Sequence, residues 1–109
     1  AQAFAAAISQ AQDEAIMTGQ PIGLMMADNG YSLAQYRSGR WQAGPKTRFK
    51  RGLRIDQLRV SDDAPPEGWP DLVFDPTGVS QPADFRLRGR YDSYDIAWAG
   101  DGKVQVDER

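Results

Sequence analysis

Carboxylates are the side chains with the most scope for catalysis here, because the 109-residue chain contains no histidine and no cysteine. It therefore has no imidazole base, no thiolate nucleophile and no cysteine-based zinc site. The adjacent Asp62 and Asp63 would need burial and a defined separation to act as acid and base, and they lie beside a proline-rich loop where solvation is expected. The sequence argues against an enzyme, and a hydrolase relying on carboxylates alone is the weakest alternative.

Three further aspartates could offer oxygen ligands to calcium if the ends of their strands converged. These residues are Asp92, Asp95 and Asp101. The sequence lacks the twelve-residue ligand loop with its terminal glutamate, and it contains no phosphate loop, nucleophile elbow or dinucleotide-binding motif. We therefore predict no metal and no cofactor.

A basic block lies between Arg37 and Arg59, where eight cationic side chains accompany the single acid Asp56. Aromatic residues lie in and beside the block, so stacking of nucleic-acid bases over a cationic groove is one interpretation. The other is a solvated surface whose charges meet the acidic carboxy-terminal half, and the net charge of −2 favours it. The aromatic residues concerned are Tyr31, Tyr36, Trp41 and Phe49.

A strand with one apolar and one cationic face is predicted where Phe85, Leu87 and Tyr91 alternate with three arginines. Arginine binds phosphates and carboxylates with paired hydrogen bonds, so this face could contact a partner. Acids lie nearby in the sequence, and we favour a face turned to solvent. The arginines are Arg86, Arg88 and Arg90.

The amino-terminal segment predicts an amphipathic helix over residues 1–18, because apolar residues recur at three- and four-residue spacings up to Gly19. The segment has neither a capping side chain at its start nor an acidic first turn, so we expect the helix to begin upstream of Ala1. Its apolar stripe comprises Phe4, Ile8, Ala11 and Ala15.

Residues 21–109 predict antiparallel strands, since short aliphatic and aromatic runs alternate with turn signals and no second helical period appears. Asn29-Gly30 predicts a tight hairpin with positive φ values between strands at 21–27 and 31–36. Ser38-Gly39 predicts another turn, followed by a short strand around Trp41 and a loop at Gly44-Pro45.

Further along, the alternation slips between Ile55 and Leu58, which predicts a β-bulge. A loop at 64–70 leads to a strand at 72–74 that is closed by a turn at 75–78. Strands at 94–98 and 103–106 form a terminal hairpin around a glycine-rich turn. The predicted fold class is α+β, one helix packed on antiparallel sheet, and the aromatic core residues are Trp41, Phe74, Phe85 and Trp98.

A succession of short motifs runs along nearly the whole chain. They are residues 11–16, Gly23-Leu24, Asn29-Gly30-Tyr31, Trp41, residues 73–78, Phe85-Arg86-Leu87 and residues 100–104. Each motif is degenerate alone, and the specificity lies in their order. This order resembles the GspH-type minor pseudopilins of the bacterial type II secretion system, whose members usually carry a basic residue where this chain has Gln12.

The resemblance implies one pilin-like domain over residues 1–109. Residues 1–18 would be the carboxy-terminal half of the pilin helix and residues 21–109 the β-rich globular part. It also implies an inner-membrane protein that spans the membrane once, upstream of this chain, and places this domain in the periplasm. The implied partners are the I-, J- and K-type minor pseudopilins and the major pseudopilin of the filament shaft, with secreted exoproteins as a further candidate.

Such a subunit needs side surfaces for contact and no catalytic chemistry. We predict one contact surface on the polar helix face, at Gln2, Ser9, Gln10 and Asp13. We predict a second within the basic block, at Arg37, Arg40, Lys46, Arg48, Lys50 and Arg51. The alternative is a type IV pilus minor pilin that binds DNA during uptake, although such pilins often carry cysteines and this chain has none.

Overall fold

The computed structural model describes residues 1–60 and 67–108. Helix α1 spans Gln2–Thr18, and a 3-10 turn spans Lys50–Gly52. Antiparallel strands make up the remaining regular structure of these residues, so the α+β class is confirmed. The strands are β1 (Ile22–Ala27), β2 (Gly30–Arg37), β3 (Arg40–Arg48), β4 (Arg54–Val60), β5 (Leu72–Phe74), β6 (Ala83–Arg88), β7 (Ser93–Trp98) and β8 (Val104–Glu108).

Helix α1 buries the predicted apolar stripe, and all four of its members are at most 2% exposed. Gly19 ends the helix in the left-handed region, with φ 69°, and its N–H donates to the carbonyl of Ala15 at 3.0 Å. This is the geometry in which glycine is favoured after a helix. Ala1 supplies no capping side chain. No helix among the described residues has the length and apolar content to span a membrane.

The first sheet has the strand order β3-β2-β1-β5. The predicted hairpin between β1 and β2 is confirmed, but Asn29 and Gly30 do not have positive φ values. Instead, a Cβ on Gly30 would lie 2.3 Å from the carbonyl oxygen of Thr47 on β3. The close approach of β3 therefore requires glycine here, and the conformational reason that we predicted is wrong.

The predicted loop at Gly44-Pro45 is also wrong, because β3 runs through both residues. The pairing of β3 with β2 shifts register between Ser32 and Ala34, so the extra residue is absorbed as a bulge. β3 is an edge strand, where proline costs little because an N–H turned away from the sheet has no partner to lose. The turn before β3 has positive φ at both Ser38 and Gly39, as the right-handed twist of a two-residue hairpin favours.

The second sheet has the strand order β4-β6-β7-β8. Its β4–β6 register shifts between Ile55 and Gln57, which confirms the predicted bulge. β6 ends at Arg88, so the prediction that the strand extends to Tyr91 is wrong. The N–H of Gly89 donates to the carbonyl of Asp92 at 2.8 Å, and this turn leaves the Tyr91 side chain 91% exposed.

The segment between the sheets agrees with the sequence in the part that is described. Strand β5 matches the predicted strand, and the N–H of Gly78 donates to the carbonyl of Asp75 at 3.0 Å to close the predicted turn. The terminal β7–β8 hairpin is confirmed. Residues 64–66 of the predicted loop, and Asp62 with Asp63, lie outside the described residues.

The core forms where α1 packs against both sheets. The Phe4 ring lies 5.1 Å from that of Tyr31 on the first sheet and 5.1 Å from that of Phe85 on the second. The first contact is tilted and the second edge-on, and aromatic contacts at such distances add to the gain from burying the rings. The ring of Trp98 meets that of Phe74 at 5.6 Å across the same interior. The core prediction is therefore confirmed for Phe74, Phe85 and Trp98, whereas Trp41 is only partly buried.

Candidate interaction surfaces

The polar face of α1 is open to solvent over most of its length. Gln2, Gln10 and Asp13 are exposed, whereas Ser9 is partly buried and its hydroxyl donates to the carbonyl of Gly102 at 3.4 Å. Near the end of the helix, Met17 is 85% exposed. The structure thus places three of the four predicted helix residues on one accessible face and turns Ser9 towards the β7–β8 turn.

A buried polar network on the other side of α1 was not predicted. Gln12 is 1% exposed, and its Nε2 donates to the carbonyl of Asp75 at 2.8 Å. Its Oε1 accepts a hydrogen bond from the hydroxyl of Ser80, which in turn accepts one from the N–H of Asp75 at 2.9 Å. Because both ends of the amide are satisfied, Gln12 holds the β5–β6 connection against the helix. Its position four residues after Ile8 and three before Ala15, both in the buried stripe, was the signal in the sequence.

The same connection is fastened to the β7–β8 turn. The N–H of Ser80 donates to the carbonyl of Gly100 at 2.7 Å, and a Cβ on Gly100 would lie 2.1 Å from the carbonyl oxygen of Ser80. Within the connection, Thr77 donates hydrogen bonds to the Asp75 carboxylate, and these bonds hold the pKa of Asp75 below its usual range. The network therefore joins the helix, the end of the first sheet and the second sheet.

The basic block does not form one patch. Arg37 and Arg40 flank the β2–β3 turn, whereas Arg48 and Lys50 lie at the other end of β3. At about 3.3 Å per residue, the eight steps from Arg40 to Arg48 correspond to roughly 26 Å. The predicted second contact surface is thus two separate cationic groups, with Lys46 on the edge strand between them and Arg51 in the 3-10 turn.

The aromatic residues near the block are divided between two faces. The rings of Tyr31 and Phe49 turn inward and pack against that of Phe4, at 5.1 and 5.3 Å. On the outer face of the first sheet, the ring of Trp41 lies 5.3 Å from that of Tyr36 and 5.9 Å from that of Trp69. The four aromatic residues therefore do not line one groove, and of these rings only those of Tyr36 and Trp41 lie outside the core, beside Arg37 and Arg40 at the β2–β3 turn.

Of the two arginines on β6, Arg88 is exposed, as we favoured, whereas Arg86 is partly buried, and an acid accompanies each. Arg86 Nε lies 2.9 Å from Asp95 Oδ1, and Arg88 Nη2 lies 3.4 Å from Asp56 Oδ2. The Asp95 carboxylate raises the pKa of Arg86 by hydrogen bonding and charge attraction. Arg90 lies beyond the strand, with its guanidinium 5.9 Å from the ring of Tyr91.

The carboxylates considered as calcium ligands are engaged separately. Asp95 binds Arg86, Asp101 accepts from the N–H of Lys103 at 3.1 Å, and Asp92 accepts from the hydroxyl of Tyr94 at 2.8 Å. The hydrogen bond to Asp92 raises the pKa of Tyr94 to about 12, with burial as a second cause. Within residues 1–60 and 67–108, no three acidic side chains are grouped as a metal would require.

One amino-terminal helix packed against two antiparallel sheets, with its other face open, is the arrangement of the pilin-like fold. A family model described as "Type II transport protein GspH" matches residues 1–102. The chain therefore belongs to the GspH family of type II secretion pseudopilins, as the order of its motifs predicted, and this family is one of structural subunits rather than enzymes.

Solved structures show the same fold. The minor pseudopilin EpsH from the type II secretion system of Vibrio cholerae superposes with a TM-score of 0.74 at 18% identity, covering 97% of this chain and 91% of that one. A second EpsH structure gives 0.74 at 19%, covering 96% and 88%. The solution structure of Escherichia coli GspH gives 0.69 at 18%, covering 95% and 82%. No curated protein sequence matches the chain.

Proposed function

We propose that this chain is the periplasmic domain of a minor pseudopilin at the tip of the type II secretion pseudopilus. There it links the I-, J- and K-type minor pseudopilins to the major pseudopilin shaft. Its upstream extension anchors the full-length protein in the inner membrane by a single span. The assembled filament acts as a piston or plug that moves folded exoproteins through the outer-membrane secretin.

The observation that carries this proposal is the two-faced helix. One face is buried against both sheets and held by the hydrogen bonds of Gln12. The sheets therefore cannot shift along α1 without breaking these hydrogen bonds. The opposite face leaves Gln2, Gln10 and Asp13 accessible to a neighbouring subunit. A rigid wedge with a free helix face is what assembly through helix contacts requires, and it needs no catalytic group.

The test is calorimetric binding of this domain to soluble J-type and I-type minor pseudopilin domains, with duplex DNA titrated in parallel at several salt concentrations. We expect saturable protein binding that Gln10→Arg with Asp13→Arg weakens at least about tenfold, because both substitutions add bulk and positive charge to the open face. The matched control is Gln105→Arg with Asp107→Arg, which makes the same change in charge on β8.

Equal loss in the two variants, or no binding to either pseudopilin domain, would contradict the proposal. DNA binding that disappears when Arg48 and Lys50 are neutralised, without any pseudopilin binding, would favour the DNA-uptake minor pilin instead. The inward packing of Tyr31 and Phe49 counts against that alternative, since it removes the rings that would stack on bases.

A further inference from the structure

Three elements bring cationic and aromatic side chains to the end of the domain where α1 begins. Strand β3 ends there at Arg48, and the 3-10 turn adds Lys50. The β6–β7 turn, which carries Arg90 and Tyr91, lies alongside, since a Cβ on Gly89 would meet Leu53 at 3.0 Å. All four side chains are exposed. We call this surface the cationic rim; it consists of Arg48, Lys50, Arg90 and Tyr91.

Among the described residues, no acid neutralises the charges of the rim. Arg48 and Lys50 form no ion pair with any residue that the structure describes, and Arg90 contacts the ring of Tyr91 instead of a carboxylate. By contrast, the nearby Arg54 is paired with Asp28 at 2.9 Å. The rim is therefore free to attract an external anion.

The acids at this end are either engaged or displaced to one side. Asp28 is paired with Arg54, and the partly buried Asp92 accepts a hydrogen bond from Tyr94. Glu108 lies on β8, the edge strand of the second sheet, where it pairs in register with Tyr94. The end of the domain thus has a cationic side at the rim and an acidic side at β8, and an anionic surface would be met by the rim.

We propose that the cationic rim rests on an anionic phospholipid surface before the subunit enters the filament. This inference rests on the proposed function, in which the chain upstream of Ala1 leads into the membrane and so brings this end of the domain towards the headgroups. Anchoring keeps the headgroup concentration high in the full-length protein. At low salt the same contacts are stronger because fewer ions screen them, so the unanchored chain should also bind an anionic surface. Basic side chains near such a surface are each attracted to it, and an exposed tyrosine suits the boundary between water and lipid.

The form of the rim favours a lipid surface over an acidic protein. Its charges come from three separate elements and are carried on long, mobile side chains, without the fixed paired geometry that selects a particular carboxylate. A diffuse sheet of phosphates needs no such geometry. Between the rim and the helix start lies an open cleft of about 370 Å³, which Arg48 and Lys50 border together with the partly buried Asp92.

The test is cosedimentation of the 109-residue chain with vesicles of phosphatidylcholine alone and with vesicles that also contain phosphatidylglycerol, at low salt. We expect binding to the anionic vesicles alone. Arg48→Glu with Lys50→Glu should reduce it at least about 30-fold, since each basic side chain near an anionic surface contributes about fivefold. Tyr91→Ser should reduce it by a smaller factor without changing the charge, and its 91% exposure means that it should leave stability unaltered.

The matched control is Arg37→Glu with Arg40→Glu, which makes the same change in net charge at the opposite end of β3. Anionic vesicles should still bind this variant within about threefold of the unaltered chain. Equal loss in the two double variants, or no binding to anionic vesicles at all, would overturn the proposal. Binding of a pseudopilin domain that depends on Arg48 and Lys50, without vesicle binding, would also overturn it and assign the rim to a protein partner.

Failure of the lipid proposal is distinguishable from failure of the proposed function. The vesicle assay contains no other pseudopilin, and the calorimetric assay with J-type and I-type domains contains no lipid. Loss of vesicle binding in the rim variant with full pseudopilin binding would separate the two surfaces on one domain.

Discussion

Replacing Gln12 with alanine is expected to destabilise the domain by about 2–4 kcal/mol. The substitution removes the donor to the Asp75 carbonyl and the acceptor for the Ser80 hydroxyl, and it leaves both partners buried or partly buried without that bond. Each orphaned group costs about 1–3 kcal/mol, and the space left by the side chain adds a cavity term. This is a large fraction of the roughly 5–15 kcal/mol that holds a small domain folded.

Urea unfolding followed by tryptophan fluorescence measures the effect, because Trp98 is 1% exposed and reports on loss of the core. Thermal unfolding followed by circular dichroism should show a midpoint lowered by about 10 °C or more for a domain of this size. The matched control is Gln10→Ala, two residues away on the exposed face, which should change stability by less than about 0.5 kcal/mol.

A double-mutant cycle separates the hydrogen bonds from the packing. Gln12→Met keeps most of the side-chain volume but cannot satisfy the Ser80 hydroxyl. Combining it with Ser80→Ala removes that group, so the combined loss should be smaller than the sum of the single losses, with a coupling of about 0.5–3 kcal/mol. A Gln12→Ala effect no larger than that of Gln10→Ala would refute the reasoning, as would strictly additive losses.

Two further predictions concern the turn and strand that flank this network. Gly100→Ala should destabilise the domain by about 2 kcal/mol more than Gly102→Ala. Both glycines have positive φ values, but only a Cβ at Gly100 would meet the Ser80 carbonyl oxygen, at 2.1 Å. Equal urea midpoints for the two variants would contradict this prediction. Spectrophotometric titration should show the phenol of Tyr94 ionising near its pKa of about 12, and Asp92→Asn should lower that value. Because folding raises the pKa of Tyr94, the stability gained from keeping its phenol protonated is present below pH about 10 and is lost as the pH rises through 12. An unchanged titration in the Asp92→Asn variant would show that Asp92 is not the cause.

The sequence predicted the exposure of most of the helix residues but not the arrangement of the basic block. Helical periodicity correctly separated Gln2, Gln10 and Asp13 from the buried stripe, because exposure on a helix follows from spacing alone. It could not show that Ser9 turns towards Gly102, since that depends on where the β7–β8 turn lies. The basic block looked continuous in the sequence, and the length of β3 separates Arg40 from Arg48.

The features with a local cause could be predicted from the sequence alone. These are the helix and its stop at Gly19, the hairpins, the β5 strand with its turn, and the bulge after Ile55, each of which leaves a periodic or turn-forming pattern within a few neighbouring residues. The order of these local features also sufficed to predict the family.

Tertiary structure decided whatever depends on contact between distant segments. Gln12 is buried because the Asp75–Ser80 connection offers it two partners, 63 and 68 residues along the chain. Gly30 is required by the backbone of a neighbouring strand, and β3 continues through Pro45 because an edge strand has no partner on its outer side. Whether a polar group can be buried, and whether a close backbone approach requires glycine, depends on the groups that contact it in three dimensions. The spacing of residues along the chain does not contain this information.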